Sequence, residues 1–115
     1  MRFPEQKLQI SVVEYLSYAL PNDVIVFHVP NGGKRNPMEA RRLKRMGVLA
    51  GVSDLCILFD GRCGFIEMKA GKGKETDNQI EFMRRCERIG IPTATARSLD
   101  EVIDVLKSWG IDVKQ

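Results

Sequence analysis

The dipeptide Asp60-Gly61 lies between two apolar runs, and this arrangement constrains the fold more than any other feature of the chain. The runs cover residues 55–59 and 63–68. Asp-Gly favours a two-residue type I′ turn, because both central residues of that turn need a positive φ. The pattern therefore predicts a β-hairpin in which Asp54 lies opposite Glu67. A three-residue loop would instead shift the pairing by one residue and turn one of these carboxylates to the other face.

Two carboxylates at the end of the predicted hairpin form a candidate chemical site. Directly opposed side chains have Cβ atoms roughly 4.5 to 5.5 Å apart, and like charges at that separation repel each other. Lys69 follows Glu67 by two residues, so both side chains lie on the same face of the strand. Asp54, Glu67 and Lys69 together suit a divalent cation with a charged group beside it. The alternative is a purely structural ion-pair network.

The basic residues are concentrated in two segments. The chain has 18 Lys plus Arg against 15 Asp plus Glu, and a net charge of +3 does not by itself indicate a polyanionic partner. The two segments contain Lys34, Arg35, Arg41, Arg42, Lys44 and Arg45, and then Lys69, Lys72 and Lys74. This placement favours a nucleic-acid-binding face. For the helix that carries four of these residues, a solvated charged face is the alternative.

A chain of 115 residues predicts a single domain over residues 1–115, which typically buries about two thirds of its unfolded surface. No apolar run has the length of a signal-peptide core or a membrane span. We therefore expect a soluble intracellular protein of a bacterial or host cytoplasm, without a membrane partner. Cys56, Cys63 and Cys86 lack CxxC spacing, and we expect reduced core thiols.

Apolar periodicity and capping residues predict four helices and two more strands. The helices cover residues 4 to about 20, 37 to 46, 76 to about 89 and 98 to about 109, counting the caps of the last two. The strands cover residues 24–29 and 92–97. Capping boxes are predicted at Thr76 with Gln79, and at Ser98 with Glu101. The predicted fold is thus α/β.

Three further features each allow two interpretations, and a fourth, His28, has one expected environment. Glu5 lies in line with the apolar stripe of the first helix, either as a site carboxylate or only as a favourable charge near the helix N-terminus. Gln79 either only closes its capping box or also points to the site. His28 is expected to be partly buried and bound by backbone. The glycine-containing loop 30–36 either brings backbone N–H groups to a phosphate or is a plain surface loop.

The order of these features resembles the PD-(D/E)xK nuclease fold and, more narrowly, the virus-type replication-repair nuclease (VRR-NUC) family in its small standalone form. The matching positions, which span almost the whole chain, are Glu5 with Gln9, Pro30-Asn31-Gly32-Gly33, residues 47–55, Glu67-Met68-Lys69 and Gln79. Ser53 stands where the family usually has proline, a position that binds no metal. The resemblance implies a central mixed four-stranded sheet flanked by helices.

The resemblance also implies a Mg²⁺- or Mn²⁺-dependent deoxyribonuclease. The implied metal ligands are the carboxylates of Asp54, Glu67 and Glu5 and the carbonyl of Met68. Lys69 would serve the attacking water, with Gln79 nearby. Hard oxygen ligands suit these ions better than ions that prefer thiolates. The positions expected to contact DNA are Asn31, Gly32, Lys34, Arg35, Arg41, Arg42, Arg45, Lys72 and Lys74.

Standalone relatives of this family are associated with symmetric cleavage of four-way (Holliday) junctions. The resemblance therefore implies a homodimer that acts on branched DNA in repair or recombination, and the family's name and the small size fit a virus or a mobile element as the source. A 5′-flap or single-strand nuclease is the nearest alternative. A nucleic-acid-binding accessory protein that keeps the nuclease fold without catalysis is a further one.

Overall fold

The structure, a computed structural model, describes residues 4–30 and 36–114. Within these residues each predicted helix and strand is present, and the ends differ from the predicted ones by one residue. The elements are α1 (Pro4–Ala19), β1 (Ile25–His28), α2 (Pro37–Arg45), β2 (Leu55–Phe59), β3 (Arg62–Met68), α3 (Asp77–Arg88), β4 (Thr93–Ala96) and α4 (Leu99–Ser108). None of the helices in the described ranges has the length and apolar character needed to cross a membrane.

The hairpin of β2 and β3 has the two-residue turn that the sequence predicts. The φ angles at Asp60-Gly61 are 50° and 69°, as a type I′ turn requires. The antiparallel ladder ends with Leu55 opposite Ile66. The next pair in the same register is Asp54 and Glu67, so the three-residue loop is excluded.

The strands form one mixed sheet in the order β1-β2-β3-β4. The pairs β1–β2 and β2–β3 are antiparallel, and β4 runs parallel to β3. One face of the sheet packs against α1 and α4, and the other face packs against α3. This is the mixed four-stranded sheet with flanking helices that the resemblance implies.

The hydrophobic core lies between the sheet and the pair α1 and α4. Its buried residues from the helices and strands are Val12, Leu16, Ala19, Leu55, Ile57, Phe59, Ile66, Met68, Ala96, Val102, Ile103 and Leu106. Trp109, directly after α4, stacks on Phe59 with ring centroids 5.8 Å apart. A Cβ at Gly64 would lie 2.5 Å from the Trp109 ring, so this glycine makes room for the indole.

The other face of the sheet is only partly covered. Phe82 of α3 packs edge-to-face on Phe65 of β3, with ring centroids 5.1 Å apart. The residues on the same face of β1 and β2 have no such cover. Ile25, Phe27 and Leu58 remain 54%, 45% and 37% exposed. We call these three residues the edge patch, because β1 is the outer strand of the sheet.

The three cysteines lie on the face of the sheet that carries α3. All three are free thiols, and Cys56 and Cys86 are buried as predicted for core residues, whereas Cys63 is half-buried. Burial, with a smaller contribution from the neighbouring Cys63, raises the pKa of the Cys56 and Cys86 thiols. These two thiols are therefore poor nucleophiles.

The cap of α4 differs in one bond from the predicted capping box. Ser98 Oγ accepts a hydrogen bond of 3.1 Å from Glu101 N, as predicted. The Glu101 carboxylate, however, accepts its bond of 2.7 Å from Arg97 N and not from the backbone of Ser98. The prediction of a reciprocal box is wrong here, because the carboxylate reaches one residue further back along the chain.

Candidate active site

Asp54 and Glu67 meet at the end of the β2–β3 hairpin. Asp54 Oδ2 accepts a hydrogen bond of 2.8 Å from Met68 N, which ties this carboxylate to the partner strand. Glu67 is only 1% exposed. The hairpin register thus brings the half-buried Asp54 carboxylate beside the buried Glu67 carboxylate.

Two side chains contact the same oxygen of Glu67. Gln79 Nε2 donates a hydrogen bond of 2.9 Å to Glu67 Oε2, and Lys69 Nζ lies 3.4 Å from that oxygen. Lys69 is itself only 6% exposed. A buried ammonium beside a carboxylate is weakly screened by solvent, so its charge acts strongly on its neighbours. Asp54, Glu67, Lys69 and Gln79 therefore form one cluster.

Gln79 has both of the roles between which the sequence could not decide. Its Oε1 accepts a hydrogen bond of 2.8 Å from Thr76 N, and Thr76 Oγ1 accepts one of 3.2 Å from Gln79 N. The predicted capping box of α3 is therefore confirmed. The amino end of the same amide reaches Glu67. One side chain thus joins the start of α3 to the acidic pair.

The surroundings of Glu67 disfavour the charged form of its carboxyl group. Burial first, and then the neighbouring Asp54 carboxylate, raise the pKa of Glu67 to about 8, although the Lys69 ammonium lowers it. Glu67 Oε1 is buried and has no hydrogen-bond partner among the described residues. Buried oxygens usually have a partner, so this atom is a candidate ligand position.

The pair fits a hard divalent cation. Carboxylate oxygens such as those of Asp54 and Glu67 are the donors that Mg²⁺ and Mn²⁺ prefer. In residues 4–30 and 36–114, however, no three side chains of His, Cys, Asp or Glu lie close enough together to hold a metal ion. Further ligands would have to come from the Met68 carbonyl, from water or from a substrate, and Mg²⁺ often keeps several waters.

Glu5 does not join the acidic pair in this structure. It is exposed in the first turn of α1. Its Oε2 lies 3.2 Å from the position that a Cβ on Gly73 would take, and Lys69 Cδ lies 3.8 Å from that same position. The buried part of α1 begins only at Val12, so the exposed position of Glu5 agrees with the alternative of a favourable charge near the helix N-terminus. Its role as a ligand stays a prediction.

His28 lies next to the acidic pair but binds only backbone. Its Nδ1 is 2.8 Å from the backbone oxygen of Asp54, to which Val29 N also donates a hydrogen bond of 2.8 Å. The predicted backbone partner is confirmed. The predicted partial burial is wrong, since His28 is exposed on the outer strand β1.

Sequence reasoning missed a second carboxylate near Lys69. Glu75 accepts a hydrogen bond from Thr95 Oγ1, and Thr95 is the register partner of Glu67 on β4. That hydrogen bond above all, and also the charges of Arg97 and Lys69, lower the pKa of Glu75. No motif marks this residue, because it lies in the loop before α3 and meets the site only through the pairing of β3 with β4.

Gly51 holds the segment before β2 against α3. Its φ is +88°, and a Cβ there would lie 2.2 Å from the backbone oxygen of Asn78. A glycine is therefore required by both the conformation and the close approach. Asp54 follows three residues after Gly51, and Gln79 follows Asn78 directly. This contact thus sets the separation between the strand and the helix that build the site.

The predicted DNA-binding residues fall into three groups. The first group lies outside the described residues and contains Asn31, Gly32, Lys34 and Arg35. The second group is exposed on α2 and contains Arg41, Arg42 and Arg45. The ion pairs within the described residues join Lys69 to Glu67 and Arg88 to Glu81, so the arginines of α2 have no carboxylate partner there. The third group, Lys72 and Lys74, is exposed in the loop between β3 and α3.

A cleft of about 840 Å³ separates α2 from α3. Residues of α2 and of segment 47–52 form one wall, and residues of α3 form the other. Asp54 and Gln79 also line it. The acidic pair is thus reached from this cleft.

Comparison with known proteins agrees with this geometry. The profile of the VRR-NUC domain family matches residues 4–100. The chain belongs to the VRR-NUC family. A solved structure described as a VRR_NUC domain protein is similar to this chain, with a TM-score of 0.77 and 27% sequence identity over 95% of this chain and 89% of that one. No curated protein matches the chain.

Membership in the VRR-NUC family assigns the domain to a nuclease type. Such domains act on nucleic acid and typically use divalent metals. The mixed sheet with flanking helices is accordingly a PD-(D/E)xK-like fold. In this VRR-NUC domain the side chains of Asp54, Glu67, Lys69 and Gln79 and the backbone of Met68 meet at the hairpin end, whereas Glu5 does not join them.

Replacement of Gly51 by Ala tests whether close approach at this residue holds the site together. Gly47→Ala is the matched control, because Gly47 also has a positive φ of +105° but no atom within 4 Å of a Cβ. We expect Gly51→Ala to lower the free energy of unfolding by roughly 2 kcal/mol more than Gly47→Ala does. Urea unfolding measures both values. Equal losses in the two variants would contradict the assigned role.

The pKa of Glu67 makes stability depend on pH. Its folded value of about 8 lies above the ordinary value of 4.5, so the folded chain binds more protons between these two values. We expect the free energy of unfolding to fall as pH rises through this window, by up to about 1.4 kcal/mol per pH unit. Millimolar Mg²⁺ should reduce this decline, because binding favours the charged carboxylate.

Urea unfolding of Glu67→Gln across the same pH range isolates this contribution. The variant has no carboxyl to titrate at this position, so the decline assigned to Glu67 should disappear. Glu14→Gln, at an exposed position on α1, should keep the wild-type slope. If wild type and Glu67→Gln had the same slope, the decline would have another origin.

Proposed function

We propose that residues 1–115 act as one metal-dependent DNA endonuclease domain that hydrolyses phosphodiester bonds in branched DNA as a homodimer. One observation above all supports the chemistry. The half-buried Asp54 carboxylate lies beside the buried Glu67 carboxylate and Lys69 ammonium, and one Glu67 oxygen has no hydrogen-bond partner among the described residues. Such a site favours added positive charge.

Each residue of the cluster has a separate task in this proposal. Asp54 and Glu67, with the Met68 carbonyl, hold the divalent ion, and Gln79 keeps Glu67 in place through its 2.9 Å hydrogen bond. When bound, the ion would lower the pKa of the attacking water and would offset negative charge on the phosphate. Lys69 donates a hydrogen bond to the attacking water and stabilises the charge that builds on the phosphoryl oxygens.

The proposed reaction is hydrolysis and needs no other co-reactant. The water oxygen forms a new bond to phosphorus while one phosphoester P–O bond breaks. The attacking water loses one proton to solvent, and the leaving oxygen takes up one proton. The products are a phosphomonoester and a free hydroxyl. Lys69 acts in this reaction as an electrostatic and hydrogen-bonding group.

Two basic surfaces support DNA as the substrate. The exposed arginines of α2 line a second depression with Met38 and Met46, on the side of the helix away from the cleft, and Lys72 and Lys74 lie in the loop that follows Lys69. Arg97 Nη1 donates a hydrogen bond of 2.9 Å to Gly71 O, which ties this loop to the end of β4. Cations placed around an acidic site attract the phosphates that flank the reacting one.

The edge patch supports the homodimer. Ile25, Phe27 and Leu58 expose apolar surface on one face, and β1 leaves one side of its backbone unpaired within the described sheet. Exposed apolar patches and open strand edges are typical of interaction surfaces. A two-fold symmetric contact would cover the same patch on both subunits. Two active sites in one dimer suit symmetric cutting of a four-way junction.

Cleavage of a labelled DNA panel tests the reaction. The panel contains a four-way junction, a 5′-flap, a duplex and a single strand, each with Mg²⁺, Mn²⁺ or chelator. We expect metal-dependent cutting that is fastest on the junction, and a loss of roughly 100-fold in Asp54→Asn and in Lys69→Met. Asp104→Asn and Lys107→Met, both at exposed positions on α4, are the matched controls.

The panel also separates the alternatives. Faster cutting of the flap or of the single strand would assign the enzyme to that substrate. A folded protein that binds the junction but cuts no member of the panel would be an accessory protein with a nuclease fold. Undiminished cutting by both site variants would exclude the proposed active site.

Sedimentation velocity tests the dimer and its surface. We expect wild type to sediment as a dimer and Phe27→Glu as a monomer, because the substitution would bury a charge in the contact. Met38→Glu is the control, since Met38 is 73% exposed on α2 and outside the edge patch. A wild-type protein that stays monomeric on junction DNA would contradict the homodimer.

A further inference from the structure

The cleft between α2 and α3 has the size of a ligand-binding site. Its volume of about 840 Å³ lies within the range of roughly 300–1,000 Å³ that is typical of sites for small molecules. Segment 47–52 closes one end, where Gly51 touches the backbone of Asn78. An intact double helix is far wider than such a cleft, whereas one nucleoside is of suitable size.

The two walls present apolar surface to each other. Leu43 and Val52 are half-buried on the first wall, and Val48 there is 39% exposed. Phe82 is half-buried on the second wall, where Phe65 supports its ring from below. Flat aromatic rings stack well against such surfaces, and base stacking on an aromatic side chain does not depend on the identity of the base.

Polar groups around these walls fit the rest of a nucleotide. Asn78 and Arg85 lie on the α3 wall, and Lys44 lies on the α2 wall. The one acidic residue of the α3 wall, Glu81, has a cation of its own in Arg88 at 3.6 Å. An amide can bind the edge of a base, and the two cations can bind phosphates on either side of it.

The cleft is continuous with the candidate active site. Asp54 and Gln79 line the cleft and also belong to the cluster around Glu67. A nucleotide whose base entered the cleft would therefore place its own phosphate, or the adjacent one, near the acidic pair. The cleft and the candidate active site are therefore directly connected, because they share these two side chains.

We propose that this cleft binds one unpaired nucleobase of the strand that is cut, next to the reacting phosphate. The inference rests on the proposed nuclease function and adds the element of the substrate that the protein recognises. A base inside a duplex must unpair and unstack before it can enter, and this cost is smallest at a branch, a mismatch or a single strand. Selectivity for branched DNA then follows from the cleft itself.

Fluorescence of 2-aminopurine, an adenine analogue quenched by stacking between bases, reports this event. The probe is placed in turn at positions on both sides of the branch of a junction and of a flap, with Ca²⁺ in place of Mg²⁺ to slow cutting. We expect wild-type protein to raise the fluorescence several-fold at the position next to the mapped cut. Positions in the paired arms should not respond.

A variant that fills the cleft provides the second test. Ala40 lines the cleft from α2, and Ala40→Trp would place an indole where the base is expected. We expect this variant to lose the 2-aminopurine response and to cut the junction about tenfold less well, as the loss of one stacking contact predicts. Ile89→Trp, which adds the same ring at a 76% exposed position after α3 and outside the cleft, should match wild type.

The outcomes separate this inference from the proposed nuclease function. If wild type cuts the junction but no probe position responds, and if Ala40→Trp cuts as wild type does, the cleft inference is wrong and the nuclease remains. If wild type cuts nothing, the nuclease proposal fails, and the 2-aminopurine response alone decides about the cleft. A response to fully paired duplex equal to that at the branch would also overturn the inference.

Discussion

The site depends on the hairpin register, which brings two carboxylates close enough to repel each other. Asp54 and Glu67 are the next pair after Leu55 and Ile66, where the ladder of β2 and β3 ends. The hydrogen bond from Met68 N holds one carboxylate, while Gln79 and Lys69 hold the other. Repulsion of this kind is useful in a site that must attract a cation, because binding relieves it.

Most of the fold could be predicted from local sequence signals. The positive φ of both residues in Asp60-Gly61 sets the turn length, and the turn length sets the register. Once the register is known, alternation along β2 and β3 decides which side chains meet. The capping residues predict the helix ends in the same way. One predicted bond differed, because the Glu101 carboxylate accepts its hydrogen bond from Arg97 N and not from Ser98 N.

The rest of the site depends on contacts between elements that are distant in sequence. Glu75 approaches Lys69 because β4 places Thr95 beside Glu67, and no pattern in the loop signals this pairing. His28 is exposed because β1 is the outer strand, a position that the composition of the strand does not reveal. In the sequence pattern the apolar stripe of α1 extends to Glu5, but in the structure the buried residues of α1 begin at Val12.

The side-chain amide of Gln79 couples two local unfolding events. Its two ends satisfy the first turn of α3 and the buried carboxylate of Glu67 at the same time. Fraying of that turn and release of Glu67 are therefore a single cooperative opening, and not two independent ones. A ligand that holds Glu67 in its charged form also stabilises the helix end, so occupancy of the site and local order of the backbone are thermodynamically linked.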